Sequence, residues 1–223
     1  MTNDDLQGGH QARAMDLAPE WRRRLVSTVR GSSHSDDPLV VMVLEQAIQA
    51  ALAGNIGVGA LVAAPTGEAL TFGQNRLLAP VFRSDLHAEM DALNSLEQQQ
   101  PRGPVGDLVL YTSLEPCPMC LVRILFSGVG TVRFAADDQM GGAARTFDSL
   151  PPVFRSLAEH RDIAPAACDE GLRVLATEIW KFTLPYATAR LEDRAAQGRS
   201  HPTSVTANGQ RMPTVNQGEH PDR

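Results

Sequence analysis

Two short segments constrain most tightly how this chain can fold: His-Ala-Glu at 87–89 and Pro-Cys-Pro-Met-Cys at 116–120. Cys117 and Cys120 lie at the start of a predicted helix, where a spacing of three residues lets both sulfurs converge on one ion. Free backbone amides and the helix dipole favour thiolates there. His87 opens another predicted helix. Because His87 and Glu89 diverge by about 200° around a helix, they can share a site only if that helix points its first turn at the ion.

This residue set predicts a catalytic zinc site. One imidazole and two thiolates are good zinc ligands, and three protein ligands leave a fourth position open for water, whereas a closed structural site more often has four. Bound zinc lowers the pKa of its water to about 7. Glu89, which is not a ligand in this interpretation, would take the water's proton and deliver protons to a ring nitrogen and to a departing amine. The expected reaction is hydrolytic deamination.

The pattern along the chain predicts a three-layer α/β domain. With 43% hydrophobic and 21% charged residues, the chain can form a globular core. The expected order from about 37 to 186 is α-β-β-α-β-α-β-α-β-α, with helices on both faces of one sheet. Residues 1–36 are interpreted as a polar extension with one helical stretch at 19–30, and residues 187–223 as a polar tail, disordered from about 197. The predicted elements are helices at 39–52, 86–99, 118–126 and 170–182, a helix opened by Pro151-Pro152, and strands at 56–64, 70–72, 108–112, 129–135 and 163–168.

The segment Leu-Tyr-Thr-Ser-Leu-Glu-Pro-Cys-Pro-Met-Cys at 110–120, together with the 87–89 motif, resembles the cytidine and deoxycytidylate deaminase superfamily. The resemblance covers about residues 37–182, and within the superfamily it is strongest to guanine deaminases and tRNA adenosine deaminases. It implies a cytidine-deaminase-like α-β-α fold, with a five-stranded mixed sheet whose last two strands are parallel. It also implies zinc as the cofactor and a homodimer.

Five residues are predicted to contact substrate. Asn75 matches the asparagine that hydrogen-bonds the base in the similar enzymes. Ala88, Ser113 and Glu115 lie within or beside the two motifs, and Phe147 is a candidate for stacking on the base. The assignment of Asn75 follows from the resemblance, and all five are expectations.

One segment departs from the family pattern. The relatives carry an Asp-Pro-Thr-Ala segment running into the histidine, where this chain has Val-Phe-Arg-Ser-Asp-Leu at 81–86. Phe82 is an alternative stacking residue, and Asp137 and Asp138 are candidates for the rim of the pocket. The departing segment helps to line the base pocket in the relatives. The resemblance therefore predicts the type of reaction but does not identify the substrate.

Several functions fit this pattern. The leading hypothesis is deamination of a free nucleobase or nucleoside, as in guanine deaminases of purine metabolism. The formal net charge of −6 and the lack of a basic stripe argue against nucleic acid as the main ligand. Editing of adenosine in tRNA and deamination of cytosine or another aminated heterocycle are the alternatives. A non-catalytic zinc module, from a different class, would be expected to lack Glu89 or to fill the fourth zinc position.

The sequence also predicts a cytoplasmic location. The first residues lack the apolar core of a secretory signal, and no apolar stretch approaches the roughly 20 residues that span a bilayer. Three cysteines do not form a disulfide framework. A membrane partner is therefore not expected.

Overall fold

The computed structural model describes residues 3–30, 33–100 and 103–199. From α2 onward, the elements follow the order predicted from the sequence. They are α1 (Asn3–Val29), α2 (Asp37–Leu52), β1 (Gly59–Ala63), β2 (Ala69–Gln74), α3 (Ala88–Gln99), β3 (Val109–Leu114), α4 (Pro118–Ser127), β4 (Thr131–Ala136), α5 (Pro152–Ala158), β5 (Asp162–Pro165) and α6 (Glu170–Arg199).

The sheet has the strand order β2-β1-β3-β4-β5. β1 is antiparallel to both β2 and β3, whereas β4 is parallel to β3 and to β5. The prediction of a three-layer fold on a five-stranded mixed sheet, with the last two strands parallel, is confirmed. Because β3, β4 and β5 are parallel, their carboxyl ends meet at one edge of the sheet, and the 116–120 motif follows β3 at that edge.

Two glycines bring helices α2 and α3 close to the sheet. A side chain at Gly59 would place its Cβ 2.3 Å from the carbonyl oxygen of Val43 in α2. At Gly73 in β2, the Cβ would lie 2.1 Å from the carbonyl oxygen of Ala88, the first residue of α3. Both distances are below van der Waals contact, so only glycine permits this packing. The first turn of α3 therefore rests directly on the backbone of β2.

Helix α1 is longer and better packed than predicted. The sequence indicated a helical stretch at 19–30 in a polar extension, but the helix spans Asn3–Val29 with Pro19 inside it. Ala14, Ala18, Trp21 and Leu25 are buried. Their spacing of four, three and four residues places them on one helical face, which packs against α2 and α6. The missed signal was this apolar face, which is interrupted by charged residues.

Helix α6 also extends beyond its predicted end at 182. It continues through Pro185 to Arg199, and Tyr186 and Ala187 are buried against Leu77 and Leu78. The first part of the predicted tail is thus helical, and residues 200–223 lie outside the described residues. The division into 1–36, 37–186 and 187–223 stays a prediction. Within the described part of the chain, no helix combines the length and apolarity needed to cross a membrane.

Candidate metal centre and active site

Both motif helices begin at a proposed metal ligand. His87 is the N-cap of α3, with φ −76° and ψ 164°, and Cys117 is the N-cap of α4, with φ −71° and ψ 169°. The carbonyl oxygen of each accepts an early helical hydrogen bond, from Asp91 at 3.0 Å and from Leu121 at 2.8 Å. The two helix N-termini meet, as the motif spacing requires.

The three proposed ligands converge with the geometry of a zinc site. Nδ1 of His87 lies 3.6 Å from Sγ of Cys117 and 3.5 Å from Sγ of Cys120, and the three atoms lie within 4.8 Å of one another. A tetrahedral zinc ion with bonds of about 2.0 Å to nitrogen and 2.3 Å to sulfur separates such atoms by roughly 3.5 Å. Across the described residues, no fourth His, Cys, Asp or Glu joins this cluster. The donor set therefore fits zinc with one coordination position left for water.

Of the three proposed ligands, Cys117 has a lowered pKa, whereas the pKa values of His87 and Cys120 are raised. A hydrogen bond from Cys120 lowers the pKa of Cys117 to about 4, and a hydrogen bond with His87 acts in the same direction. A thiolate is thus present at neutral pH at the start of α4, which the helix dipole also favours.

Glu89 is the buried carboxylate of the site, with 4% of its surface exposed. Its Oε2 lies 3.4 Å from Sγ of Cys120, and its Oε1 accepts a hydrogen bond of 3.5 Å from the hydroxyl of Thr112. Burial raises the pKa of Glu89 above its ordinary value. Such a carboxyl can both take and return a proton, which is what general acid–base catalysis requires.

A cavity of about 120 Å³ adjoins the metal ligands and Glu89. Drug-sized ligands occupy pockets of roughly 300–1,000 Å³, so this cavity admits a single small ring system. No Lys or Arg is found among its described lining residues. The lining residues are Ile56, Val58, Asn75, His87, Glu89, Leu114, Glu115, Cys117, Asp138 and Trp180.

Asn75 offers a hydrogen-bond donor to this cavity. Its backbone N–H donates to the carbonyl of Val58 at 3.0 Å, and its Oδ1 accepts from the backbone N–H of Leu77 at 3.1 Å. With Oδ1 occupied, Nδ2 has no hydrogen-bond partner among the described residues. The amide nitrogen is therefore available to a ligand in the cavity.

Glu115 organises the loop at 138–144, which contributes Asp138 to the cavity wall. Its carboxylate accepts backbone hydrogen bonds from Asp138 at 3.2 Å and from Ala144 at 3.0 Å. A Cβ at Gly142 would lie 2.4 Å from the carboxyl carbon of Glu115, so the loop closes tightly around this side chain. Asp138 lines the cavity, whereas Asp137 forms an ion pair with Arg145. Of the two predicted rim acids, the structure thus places Asp138 in the wall.

Three of the predicted substrate contacts do not line the cavity. Ala88 is fully buried in the first turn of α3. The hydroxyl of Ser113 accepts a hydrogen bond of 3.1 Å from the backbone N–H of Gly59, so it helps to hold β1 against β3. Phe147 is half-buried in a 3-10 turn. Asn75 and Glu115 are the two predicted contacts that the structure brings beside the metal centre.

The departing segment at 81–86 packs against α6. None of its residues lines the cavity. Phe82 contacts the cluster of Leu77, Leu78, Tyr186 and Ala187, and the guanidinium of Arg194 lies 3.9 Å from the centroid of its ring. The aromatic side chain in the cavity wall is instead Trp180 of α6, which no sequence motif indicated.

Comparison with known proteins agrees with the site. The family model described as the cytidine and deoxycytidylate deaminase zinc-binding region matches residues 33–136. A tRNA-specific adenosine deaminase of Bacillus subtilis is 30% identical over 115 residues, which are 52% of this chain and 70% of that protein. A guanine deaminase of the same organism is 32% identical over 127 residues, which are 54% of this chain and 80% of that protein.

Two further matches extend the comparison. A tRNA(Ile)-lysidine synthase of Deinococcus deserti is 35% identical over 125 residues, but the match spans only 23% of that protein's length. A solved structure from a study of A-to-I editing by tRNA:A34 deaminases superposes with a TM-score of 0.52 at 23% identity, covering 61% of this chain and 94% of that one. The superposition supports the fold. Taken with the family match and the ligand geometry, the two Bacillus subtilis relatives show that the chain belongs to the cytidine and deoxycytidylate deaminase family and is a zinc-dependent deaminase.

Proposed function

We propose that this deaminase hydrolyses the exocyclic amino group of a free heterocyclic base, with a guanine-like purine as the leading substrate. The observation that carries the proposal is the composition of the cavity. Glu89, Glu115 and Asp138 all line a space of about 120 Å³ that has no Lys or Arg among its described lining residues. Such a space favours a small ligand rich in N–H donors over one that carries phosphate.

Zinc, when bound by His87, Cys117 and Cys120, supplies a water molecule that is activated at neutral pH. Glu89 would take one proton from this water and pass it to a ring nitrogen of the base, as the water oxygen bonds to the carbon that carries the amine. Glu89 would then take the second proton from the resulting hydroxyl and pass it to the departing amine. The C–N bond breaks, the water oxygen becomes a carbonyl oxygen, and ammonia leaves. The hydroxyl of Thr112 holds Oε1 of Glu89, which keeps Oε2 directed toward the metal side of the site.

The remaining wall residues match the edges of a guanine-like base. The free Nδ2 of Asn75 can donate to a ring nitrogen or a carbonyl oxygen. The carboxylates of Glu115 and Asp138 can accept from ring N–H and amino groups, and charge-assisted hydrogen bonds of this kind are the stronger ones. The proposal therefore assigns recognition to these three side chains and proton transfer to Glu89.

The charges near the cavity argue against a phosphate-bearing substrate. Arg76, next to Asn75, forms an ion pair of 3.3 Å with Asp91. Arg145 pairs with Asp137 at 2.9 Å, beside the wall residue Asp138. A protein that grips a polyanion needs a basic surface, and these arginines are already paired. Adenosine in tRNA is nevertheless the second candidate, because a relative named for that activity is 30% identical over 70% of its length.

We also propose that the protein forms a homodimer, as the family resemblance implies. Phe126 of α4 is 64% exposed and packs edge-on against Phe154 of α5, with ring centroids 5.8 Å apart. Val153 is 59% exposed nearby, and Met119 lies between the two cysteine ligands with 37% of its surface exposed. A second copy of this chain would cover this apolar face. Sedimentation of the wild type and of Phe126→Glu tests this dimer, which is expected only for the wild type.

A cytoplasmic location and a role in purine metabolism stay predictions.

The activity is tested by ammonia release from zinc-loaded protein. The panel contains guanine, adenine, cytosine, their nucleosides and a tRNA anticodon stem-loop, with Glu89→Gln as the inactive control. Release from a free base, absent in Glu89→Gln, is the expected result. Release from the RNA alone would replace the proposal with tRNA editing, and release from nucleosides alone would show that the sugar is required.

A further inference from the structure

Two residues of the active-site cavity, Asp138 and Trp180, lie beyond the segment that matches the family model. The match to the family covers residues 33–136 and contains the three metal ligands, Glu89, Asn75 and Glu115. Trp180 lies on α6, beyond that region, yet its side chain lines the same cavity and is 7% exposed. It is the aromatic residue of the described lining, and no step of the proposed chemistry uses it.

On the cavity side, α6 is held against the wall at Gly57. The backbone N–H of Gly57 donates a hydrogen bond of 3.0 Å to the hydroxyl of Thr183. A Cβ at Gly57 would lie 2.7 Å from Cγ2 of Ile179, so the helix packs directly on this glycine. Residues 56 and 58, on either side of it, both line the cavity. Ile179 and Thr183, the residues of α6 that contact Gly57, therefore lie on either side of Trp180 in the sequence.

Helix α1 contacts a second face of the same turn of α6. Glu178 accepts a hydrogen bond of 3.1 Å from the indole of Trp21 and one of 2.6 Å from Arg24. The ring of Trp21 also packs edge-on against Phe182, with centroids 5.4 Å apart. Positions 178 and 182 share one helical face, and position 180 lies about 200° from position 178. Helix α1 therefore fixes the outer face of α6 while Trp180 points inward.

We propose that Trp180 is a specificity-determining residue of this enzyme and that α1 positions it. The indole provides the face on which the planar base stacks, and its bulk keeps the cavity too small for a nucleoside. Trp21 acts through Glu178 and Phe182 and is a positioning residue. The inference rests on the proposed function, because it assumes a free base as the ligand.

The two tryptophans of the chain, Trp21 and Trp180, allow a direct binding test. Trp21→Phe leaves Trp180 as the single indole and retains an aromatic ring against α6. Titration of this variant with guanine, adenine and cytosine, in a Glu89→Gln background, should give a saturable change in tryptophan emission. The matched Trp180→Phe variant, which reports only Trp21, should show none. A flat signal from both Trp21→Phe and a variant with both tryptophans, while equilibrium dialysis detects binding, would overturn the stacking.

The kinetic test uses substitutions at position 180. Loss of one base–aromatic stacking contact typically weakens binding by about 5- to 100-fold, so Trp180→Leu should raise KM for the base by roughly 10-fold or more. Trp180→Phe should recover most of this loss. Trp180→Ala should also increase the ratio of kcat/KM for the nucleoside to that for the base. Zinc content should match the wild type in all three variants. Unchanged KM and unchanged selectivity in Trp180→Leu would refute the assignment.

The positioning role of α1 is tested at Glu178. Glu178→Gln weakens the ion pair with Arg24 and should raise KM for the base several-fold with little change in kcat. Glu97→Gln, which removes a comparable ion pair with Arg123 on α4, is the matched control and should leave KM unchanged. Equal KM values for both variants would show that α1 does not position Trp180.

The outcomes separate this inference from the proposed function. If no base is deaminated but Trp21→Phe still reports base binding, the reaction proposed above is wrong and the stacking stands. If the wild type deaminates a base and Trp180→Leu behaves like it, the reaction stands and the role of Trp180 is wrong. If no base binds or reacts, both are overturned.

Discussion

Oε2 of Glu89 lies 3.4 Å from Sγ of Cys120, so the proposed proton carrier is in direct contact with a proposed metal ligand, and both side chains are buried. The proximity has a simple structural origin. Glu89 lies in the first turn of α3 and Cys120 in the first turn of α4, and the two helix N-termini converge. A proton taken from metal-activated water at this corner needs to move only a short distance before it reaches the base.

Replacing Glu89 with Gln should reduce kcat by about 100- to 10,000-fold, the range that positioned general acid–base groups contribute. Zinc should remain stoichiometric, because Glu89 is not among the three ligands. Ammonia release and metal analysis of the same sample measure both effects. Glu97→Gln, an exposed change on the same helix, is the control and should keep wild-type kcat. Turnover that survived Glu89→Gln would remove Glu89 from the mechanism.

Cys117→Ser and Cys120→Ser should each lower zinc content and the melting temperature. Binding of an ion to the folded state alone stabilises it, so losing a ligand removes that stabilisation. Cys168→Ser is the matched control, since Cys168 is buried but lies outside the metal cluster. It should keep full zinc content. Zinc loss in Cys168→Ser, or none in the other two, would contradict the ligand assignment.

Asn75→Ala should raise KM for the base by roughly 5-fold, because the variant loses a donor that faces the cavity and one hydrogen bond contributes about 1 kcal/mol. Asn55→Ala offers a comparison, because Asn55 is also buried but its amide oxygen accepts from Leu78 and Ala79 and its amide nitrogen donates to the carbonyl of Ala79. That variant should unfold at a lower temperature with little change in KM. If both variants changed only stability, Asn75 would be a turn residue and not a substrate contact.

Gly142→Ala should impair substrate binding without removing zinc. Its new methyl group would lie 2.4 Å from the Glu115 carboxyl carbon, so the loop at 138–144 or the carboxylate must shift. The expected result is a KM increased by about 10-fold or more, with the penalty of an overpacked site, typically 1–3 kcal/mol, in the free energy of unfolding. Gly106→Ala, whose Cβ would meet only a carbonyl oxygen at 3.9 Å, should behave like the wild type.

The buried environment of His10 should make the free energy of unfolding depend on pH. Its ring stacks between Phe182 and Tyr186, with centroids 5.0 and 4.5 Å away, and within the described residues Nε2 has no hydrogen-bond partner. Burial lowers the pKa of His10 below 6.5, and Arg13 lowers it further. The unfolded chain therefore binds a proton that the folded chain does not, and stability is lost as pH falls through 6.5.

The test compares melting temperatures of the wild type and His10→Phe between pH 8 and pH 5.5. The variant keeps an aromatic ring in the stack but cannot bind a proton, so its melting temperature should fall less over this range. Titration of the other histidines contributes equally to both proteins and cancels in the difference. Parallel curves for the two proteins would show that His10 does not carry the effect.

The metal centre and the central sheet could be predicted from the sequence because their signals are local. Ligand spacing fixes which side chains converge, and short apolar runs between turn residues mark strands such as β1 and β3. Glu89 was predicted from the same motif, and this assignment needs only neighbouring residues and the rule that helix termini present free amides. Asn75 was expected from the resemblance to the deaminase family.

The parts that could not be predicted depend on contacts distant in sequence. Helix α1 contains two glycines and Pro19, so its intrinsic propensity is low, and burial of Trp21 against α6 holds it. Trp180 belongs to no motif, and contacts of α6 with Gly57 and with α1, both distant in sequence, bring it to the cavity. Phe147 was predicted as a contact from its loop position; it does not line the cavity, and its contact with substrate stays a prediction.

The close contact between Gly73 and the backbone of Ala88 has a consequence for how such an enzyme can diversify. The first turn of α3, which carries His87 and Glu89, rests on main-chain atoms, so core side chains can be exchanged without displacing the reactive groups. Directed evolution that keeps Gly73 and randomises Trp180 and its neighbours on α6 should therefore yield variants with new substrates in which His87 and Glu89 keep their positions. A library that varies Gly73 should instead yield mainly inactive clones, whatever substrate is used for selection.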